Sequence, residues 1–287
     1  MSAPRTITVF TRHQPGGEPG RGLRRLAELA HAAGVTLRVP PEEVAKHDLT
    51  EPMPGVELGA DPDGPTDLAV ALGGDGTILA ALRRYAGRKV PVFAINFGEI
   101  GFLSTVERDG LDGAIEPALR GEFEVLPLPT LEVGTSSGPW QGVNDISFHR
   151  RPDLRVAELS YGVGDEQVGR VRCDGLVIST PAGSTGYNLA NGGPVMAWGV
   201  EGFVVSFIAP HTLSARALVV APDDVLQVTN RSADEPVDVT TDGRTVCTLG
   251  PQEQVEVRFR HDMALLAQVA GASFYHRLRD KFGRLTR

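Results

Sequence analysis

The chain has 287 residues, enough for two domains with sizeable cores, and 41% of them are hydrophobic, as in an ordinary globular protein. Asp and Glu outnumber Lys and Arg by 36 to 28, and no basic block occurs, which excludes a broad nucleic-acid footprint. No apolar run reaches membrane-spanning length, and the two cysteines, Cys173 and Cys247, form no zinc or paired-thiol pattern.

The chain opens on MSAPRTITVFTRH, which lacks the long apolar core of a signal peptide, so a cytoplasmic protein without membrane partners is expected. Residues 6–11 (TITVFT) read as a buried strand. A Gly/Pro loop follows, then a helix from about Gly22 to Ala33, with Leu23, Leu26, Ala27, Leu29 and Ala30 at helical spacing. Gly34 ends it, and VTLRV (35–39) is the next strand. Residues 40–66 are rich in Pro, Gly, Asp and Glu and read as surface loop with room for one short helix.

A strand at Asp67–Leu72 breaks into Gly73-Gly74-Asp75-Gly76-Thr77, and a helix to Ala86 leads into the strand PVFAIN (91–96). Apolar strands alternating with helices predict a parallel sheet covered on both faces. After about residue 105 a helix (110–120) gives way to many short β segments, among them VNDISFHR, GLVIST, FVVSFI, VDVTT and QVEVRF. Asp242-Gly243 between two of them is a type I′ hairpin signal. The density of strands predicts a sandwich-like second domain. From Ala272 the pattern is helical again, with Phe274, Leu278 and Phe282 at intervals of four.

The Gly73–Thr77 turn is the most informative segment. Three glycines allow a sharp bend and close backbone approach, and a helix starting near Thr77 would aim its amides at the tip, a setting for phosphate oxygens. Asp75 is the acid held there. No Lys follows the glycines as in a P-loop, and the intervals are not G-x-G-x-x-G. Phosphoryl transfer is the chemistry this turn suggests. The loop Asn96–Leu103 follows the neighbouring strand and should face the turn; within it Phe102 suits core as well as a ligand.

Further along, Asn144 can donate to and accept from a purine edge, and the Asp145 carboxylate can accept from both hydroxyls of a ribose. An Asx turn would account for the same pair. The stretch from Arg172 to Asn188 runs from an apolar strand into small hydroxyl and Gly residues that let a flat ring lie against the backbone. Arg155 and Arg172 are candidate diphosphate partners or plain surface residues. His211 is read as structural, since no His-rich ligand spacing occurs.

GGDGT (73–77), NFGEIGFL (96–103), VND (143–145) and DGLVISTPAGSTGYNLANGGP (174–194) together resemble the bacterial NAD kinases. APHTLSAR (209–216), Asp242-Gly243 and FYHRLRDKFG (274–283) fit the same family. GGDGT alone also occurs in 6-phosphofructokinases, diacylglycerol kinases and sphingosine kinases, whereas the long STP-x-GST-x-Y stretch belongs to the NAD kinases. The resemblance implies an α/β domain over 1–105, a β-sandwich-like NAD-binding domain over 106–260, and a segment 261–287 that packs back on the first. It implies a homodimer or homotetramer with NAD between domains and near a subunit interface. It also implies phosphoryl transfer from ATP or inorganic polyphosphate to the 2′-hydroxyl of the adenosine ribose of NAD, giving NADP, with Mg²⁺ carried mainly on phosphate oxygens.

Carried over position by position, Asp75 is the catalytic acid, and Gly73, Gly74, Gly76 and Thr77 complete the loop that holds the donor and touches NAD. Phe102 belongs to the cofactor-binding set. Asn144 and Asp145 hold the adenosine, Asp174 with Thr185, Gly186, Tyr187, Asn188, Leu189 and Ala190 lines the rest of the dinucleotide pocket, and Arg155 and Arg172 contact NAD. Arg244 stands where the family commonly has Gln. Gly186 replaces the usual Ala, Ala182 a hydroxyl residue that bonds adenine, and Asp145 the commoner Glu. Two other readings remain: a different GGDGT kinase acting on a lipid or sugar phosphate, or a dinucleotide sensor without activity.

Overall fold

LAVALG and PVFAIN are apolar on both faces of the pleat, and both form strands buried along their whole length, as strands covered on two sides must be. The computed structural model describes residues 3–12, 17–98, 101–104, 106–152 and 155–283; Glu99 and Ile100 of the 96–103 motif lie outside the described residues. The chain divides into two compact units, residues 1–127 with 264–287, and residues 128–263.

The first unit runs β1 (Thr6–Thr11), α1 (Glu18–Ala32), β2 (Thr36–Val39), α2 (Pro41–Lys46), β3 (Val56–Leu58), β4 (Leu68–Gly73), α3 (Asp75–Tyr85), β5 (Pro91–Asn96), β6 (Val106–Glu107) and α4 (Leu111–Leu119). Its parallel sheet has the order β3-β2-β1-β4-β5. Alternation along the strands sorts the core. Ile7, Val9, Leu68, Val70 and Leu72 pack with the apolar faces of α1 and α4, whereas α3 packs on the same strands through Ile78, Ala81, Leu82 and Tyr85. Tyr85 meets Phe10 edge-on.

Two expectations change here. The 40–66 segment is more than loop, because Val56–Leu58 pairs in parallel with Leu37–Val39 and adds an edge strand too short to show a period. Residues 106–127 fall in the first unit: Leu111, Ala114, Ile115, Ala118 and Leu119 of α4 bury into its core.

The second unit is built from β7 (Glu124–Thr135, from Leu128 onwards), β8 (Gly138–Gly142), β9 (Asp145–Arg150), β10 (Ala157–Val163), β11 (Glu166–Cys173), β12 (Gly175–Ser179), the short α5 (Tyr187–Ala190), β13 (Phe203–Ile208), β14 (Leu218–Val220), β15 (Leu226–Asn230), β16 (Val237–Thr241), β17 (Arg244–Leu249) and β18 (Gln254–Gln268). One antiparallel sheet has the order β14-β13-β12-β9-β16-β17; β11, β10, β15 and β18 form the other, with β7 on β18 and β8 on β7. Inward residues of both sheets, including Phe148, Leu176, Phe203, Leu159, Val228 and Val257, share one apolar cluster, which makes the unit a sandwich. Cys173 is buried in it, and burial pushes its thiol up to about 12, so it acts as a small apolar residue.

β18 crosses from one unit to the other, and its Leu265–Ala267 pairs in parallel with β5. The chain then closes with α6 (Phe274–Phe282) in the first unit, where Phe274 and Phe282 each pack 6.0 Å from Phe102.

Candidate active site

Gly73 at the end of β4 pairs with Asn96 at the end of β5, so the two following loops leave the carboxyl edge of the sheet side by side. Gly74 caps α3 with extended backbone, and Asp75 is the first residue of the helix. That start is two residues earlier than expected, because Thr77 and Ile78 both donate to the Gly74 carbonyl and wind the turn at once. A Cβ on Gly73 would stand 2.4 Å from Thr77 Oγ1, so the bend requires glycine. Asp75 therefore lies among the unpaired amides of a helix start, which favour anions.

The neighbouring loop aims its carboxylate. Phe102 N–H donates to Asp75 Oδ2 at 2.7 Å and Leu103 N–H to Oδ1 at 3.1 Å. A Cβ on Gly101 would come within 2.1 Å of Oδ1, so only glycine admits the acid this closely. Arg277 of α6 secures the same turn from the other side, donating Nη1 to the Phe102 carbonyl at 3.0 Å and Nη2 to Gln268 Oε1 at 2.8 Å. Burial pulls this guanidinium down to about 10 against the opposing charge of Asp75.

One helical turn on, the Lys281 ammonium sits 4.7 Å from the centroid of the Phe102 ring. Burial lowers its pKa, and the charges of Asp75 and Glu107 oppose that shift. A cavity of about 700 Å³ opens between α6 and the Gly101–Glu107 segment. Arg12, just past β1, also reaches this edge: a Cβ on Gly98 would lie 3.2 Å from its Nη1 and 3.3 Å from Gly74 Cα.

In the second unit the Val143–Asp145 turn is clamped from two sides. The N–H groups of Val143, Asn144 and Asp145 all donate to the Asp242 carboxylate, at 3.0, 2.8 and 3.2 Å. Asp242 and Gly243 have φ of +46° and +74°, as a type I′ turn between β16 and β17 demands. Opposite, Thr180 Oγ1 donates to the Val143 carbonyl at 2.7 Å and Ser179 Oγ to the Asn144 carbonyl at 3.2 Å. A Cβ on Gly183 would meet that Asn144 oxygen at 2.1 Å.

This clamp presents two acceptors. Asn144 Oδ1 is buried without a hydrogen-bond partner among the described residues. Asp145 is 8% exposed, and burial together with the Asp242 charge pushes it up to about 7. Groups rich in donors, such as the amino and hydroxyl groups of a nucleoside, would satisfy both. Nearby, Tyr187 stacks on His149 with ring centroids 5.7 Å apart, and Asp174 accepts from Arg150 Nε at 2.6 Å.

The comparisons with known proteins agree with this geometry. Residues 33–123 match the model of the ATP-NAD kinase N-terminal domain, and residues 143–268 that of the C-terminal domain. The chain belongs to the NAD kinase family. It is 37% identical over 229 residues to the NAD kinase of Gemmatimonas aurantiaca, covering 77% of this chain and 78% of that one. Against the NAD kinase of Symbiobacterium thermophilum the identity is 35% over 231 residues, with 77% and 82% covered. Among solved structures, yeast NADH kinase complexed with NADH matches with a TM-score of 0.85 at 23% identity, over 97% of this chain and 87% of that one. An NAD kinase from Archaeoglobus fulgidus in complex with ATP matches with a TM-score of 0.72 at 23% identity, over 98% of both chains. These two likenesses establish the shared NAD kinase fold.

Within this member of the family, Gly73, Gly74, Asp75, Gly76 and Thr77 form one turn, joined by the backbone of Phe102, whose buried ring is occupied by α6. Asn144 and Asp145 adjoin the 180–187 segment. Thr185 closes a 3₁₀ turn, Gly186 caps α5, and Tyr187, Leu189 and Ala190 lie on α5. Asn188 is used internally, donating to the Ser184 and Pro194 carbonyls at 2.9 and 3.0 Å. The side chains of Arg155, Arg172 and Arg244 are exposed. The partner of Asp174 is Arg150, which the sequence did not single out; nor did it single out Arg12, Arg277 or Lys281.

Proposed function

We propose that the protein transfers the terminal phosphoryl group of ATP, or of inorganic polyphosphate, to the 2′-hydroxyl of the adenosine ribose of NAD, yielding NADP. The observation that carries this reading is the setting of Asp75: a single carboxylate held by two amides at a glycine-lined helix start, where phosphate oxygens are welcome. Such a transfer depends mainly on positioning and charge neutralisation. The ribose oxygen forms the new P–O bond as the bond to the donor's bridging oxygen breaks. The leaving nucleotide or shortened polyphosphate keeps that electron pair, and the hydroxyl proton passes to Asp75.

The adenosine would be held by the second unit. Asn144 Oδ1 accepts from the adenine amino group, and the Asp145 carboxylate accepts from ribose hydroxyls. Asp174, Arg155, Arg172, Arg244 and the 185–190 segment are assigned to the rest of the dinucleotide. Mg²⁺ enters with the donor. Among the described residues no group of three His, Cys, Asp or Glu is placed to ligate a metal, a donor set that suits an ion carried on phosphate oxygens. We assign a homodimer or homotetramer in the cytoplasm; the exposed Leu213, Val219 and Trp140 supply apolar surface for subunit contact.

The deciding experiment incubates purified protein with Mg²⁺, NAD or NADH, and ATP or polyphosphate in turn, and separates the nucleotides. NADP formation with at least one donor is expected. Failure with every donor rejects the reading.

A further inference from the structure

Helix α6 lies beyond both family-model matches, yet it places two cations in the electrostatic reach of Asp75. We propose that the cavity beside α6 seats the terminal phosphates of the donor, with the Lys281 ammonium as their counter-charge and Arg277 as the positioning residue that holds the Phe102 peptide against Asp75. This rests on the phosphoryl-transfer reading and gives the donor its place in it.

Three observations converge. The cavity, at about 700 Å³, is large enough for a triphosphate with its sugar. One wall is Gly101, the residue whose missing side chain lets Asp75 Oδ1 approach, so a phosphate seated there is adjacent to the acid that orients the acceptor. The remaining lining is charged in a way that suits a polyanion. Glu107 is engaged by Asn96 Nδ2 at 2.9 Å, and Asp280 by His276 Nε2 at 3.0 Å, so both carboxylates have local partners. Lys281, on a flexible stem and half-buried over Phe102, contributes a point charge in a poorly hydrated setting, where it acts strongly on phosphate oxygens.

Arg277 works differently. Its guanidinium bonds the carbonyl of the very peptide whose N–H holds Asp75 Oδ2, so its substitution should loosen the acid while sparing the donor's seat.

The test titrates wild type, Lys281→Met and Ala270→Trp with Mg²⁺–tripolyphosphate and Mg²⁺–ATP in the absence of NAD. NAD is titrated separately, and turnover is measured at saturating NAD. Lys281→Met should weaken both donors at least tenfold and raise the donor KM, with NAD affinity unchanged; Lys281→Arg should recover part of the loss. Ala270→Trp keeps every charge and fills the cavity mouth, so it should exclude the donor at an unaltered melting temperature. Arg277→Gln should lower kcat at constant donor KM, with rescue by Arg277→Lys, a split that general loosening of the fold would not give.

Tripolyphosphate binding within twofold of wild type in both Lys281→Met and Ala270→Trp overturns the proposal, as does a loss confined to NAD. Wild-type protein that binds tripolyphosphate through Lys281 yet never makes NADP supports the cavity and rejects the NAD kinase reading. The two failures are thereby distinguished.

Discussion

Asp75 serves two ends with one side chain: it points into the site, and it terminates the Phe102 and Leu103 amides. Replacement by Asn therefore has two separable effects. Turnover should fall by roughly 10²–10⁴, the usual contribution of a positioned base, with NAD affinity largely kept. The amide also turns an N–H₂ towards one of two backbone donors, which should cost about 1–3 kcal/mol of stability. Steady-state kinetics and a denaturant melt read the two separately, and wild-type turnover in Asp75→Asn would remove the acid from the mechanism. Gly101→Ala is the complementary probe. It keeps the carboxylate, but a Cβ 2.1 Å from Oδ1 must displace it, so turnover should drop although no functional group is lost.

At the scale of elements, the adenosine-side turn at 143–145 depends on a hairpin almost a hundred residues away. Asp242 gives its carboxylate to three backbone N–H groups, and its φ of +46° is one that Ala would strain. Asp242→Gly is hence the cleaner substitution, since it tolerates the backbone and deletes only the acceptor. It should lower stability by roughly 2–4 kcal/mol and weaken NAD binding, read from a urea midpoint and a titration; an unchanged midpoint would show that the clamp is idle. The hairpin itself was legible, because Asp-Gly between alternating strands fixes its own turn. Its grip on residue 143 was not, since hydrogen bonds between segments so far apart leave no local pattern. The glycine turn was legible for the same local reason, except that its helix begins at Asp75 rather than near Thr77. Arg277 and Lys281 were hidden, because basic residues in the last turns of a helix look like ordinary surface until the Phe102 turn is packed beneath them. The strand at 56–58 was too short to announce itself.

For the whole molecule, the acid that costs the fold most is Asp145. Its value rises from the ordinary 3.8 to about 7, through burial first and the Asp242 charge second. Between those limits the folded chain binds more protons than the unfolded one, so stability declines as pH climbs from about 4 to 7, and above 7 the full penalty persists. Three pH units correspond to about 4 kcal/mol at most, since relaxation around a partly hydrated carboxylate reduces it. Asp145→Asn removes the ionisable group at nearly constant shape. The variant should melt several degrees above wild type at pH 8, and the two curves should converge near pH 4–5. NAD should act in the opposite sense on wild type. Ribose hydroxyls donate to the ionised carboxylate and offset its desolvation, so ligand stabilisation should grow from pH 5.5 to pH 8 and be flat with pH in Asp145→Asn. Superimposable melting profiles across that range would mean that water reaches the carboxylate, and the strained acceptor postulated for the adenosine ribose would not exist.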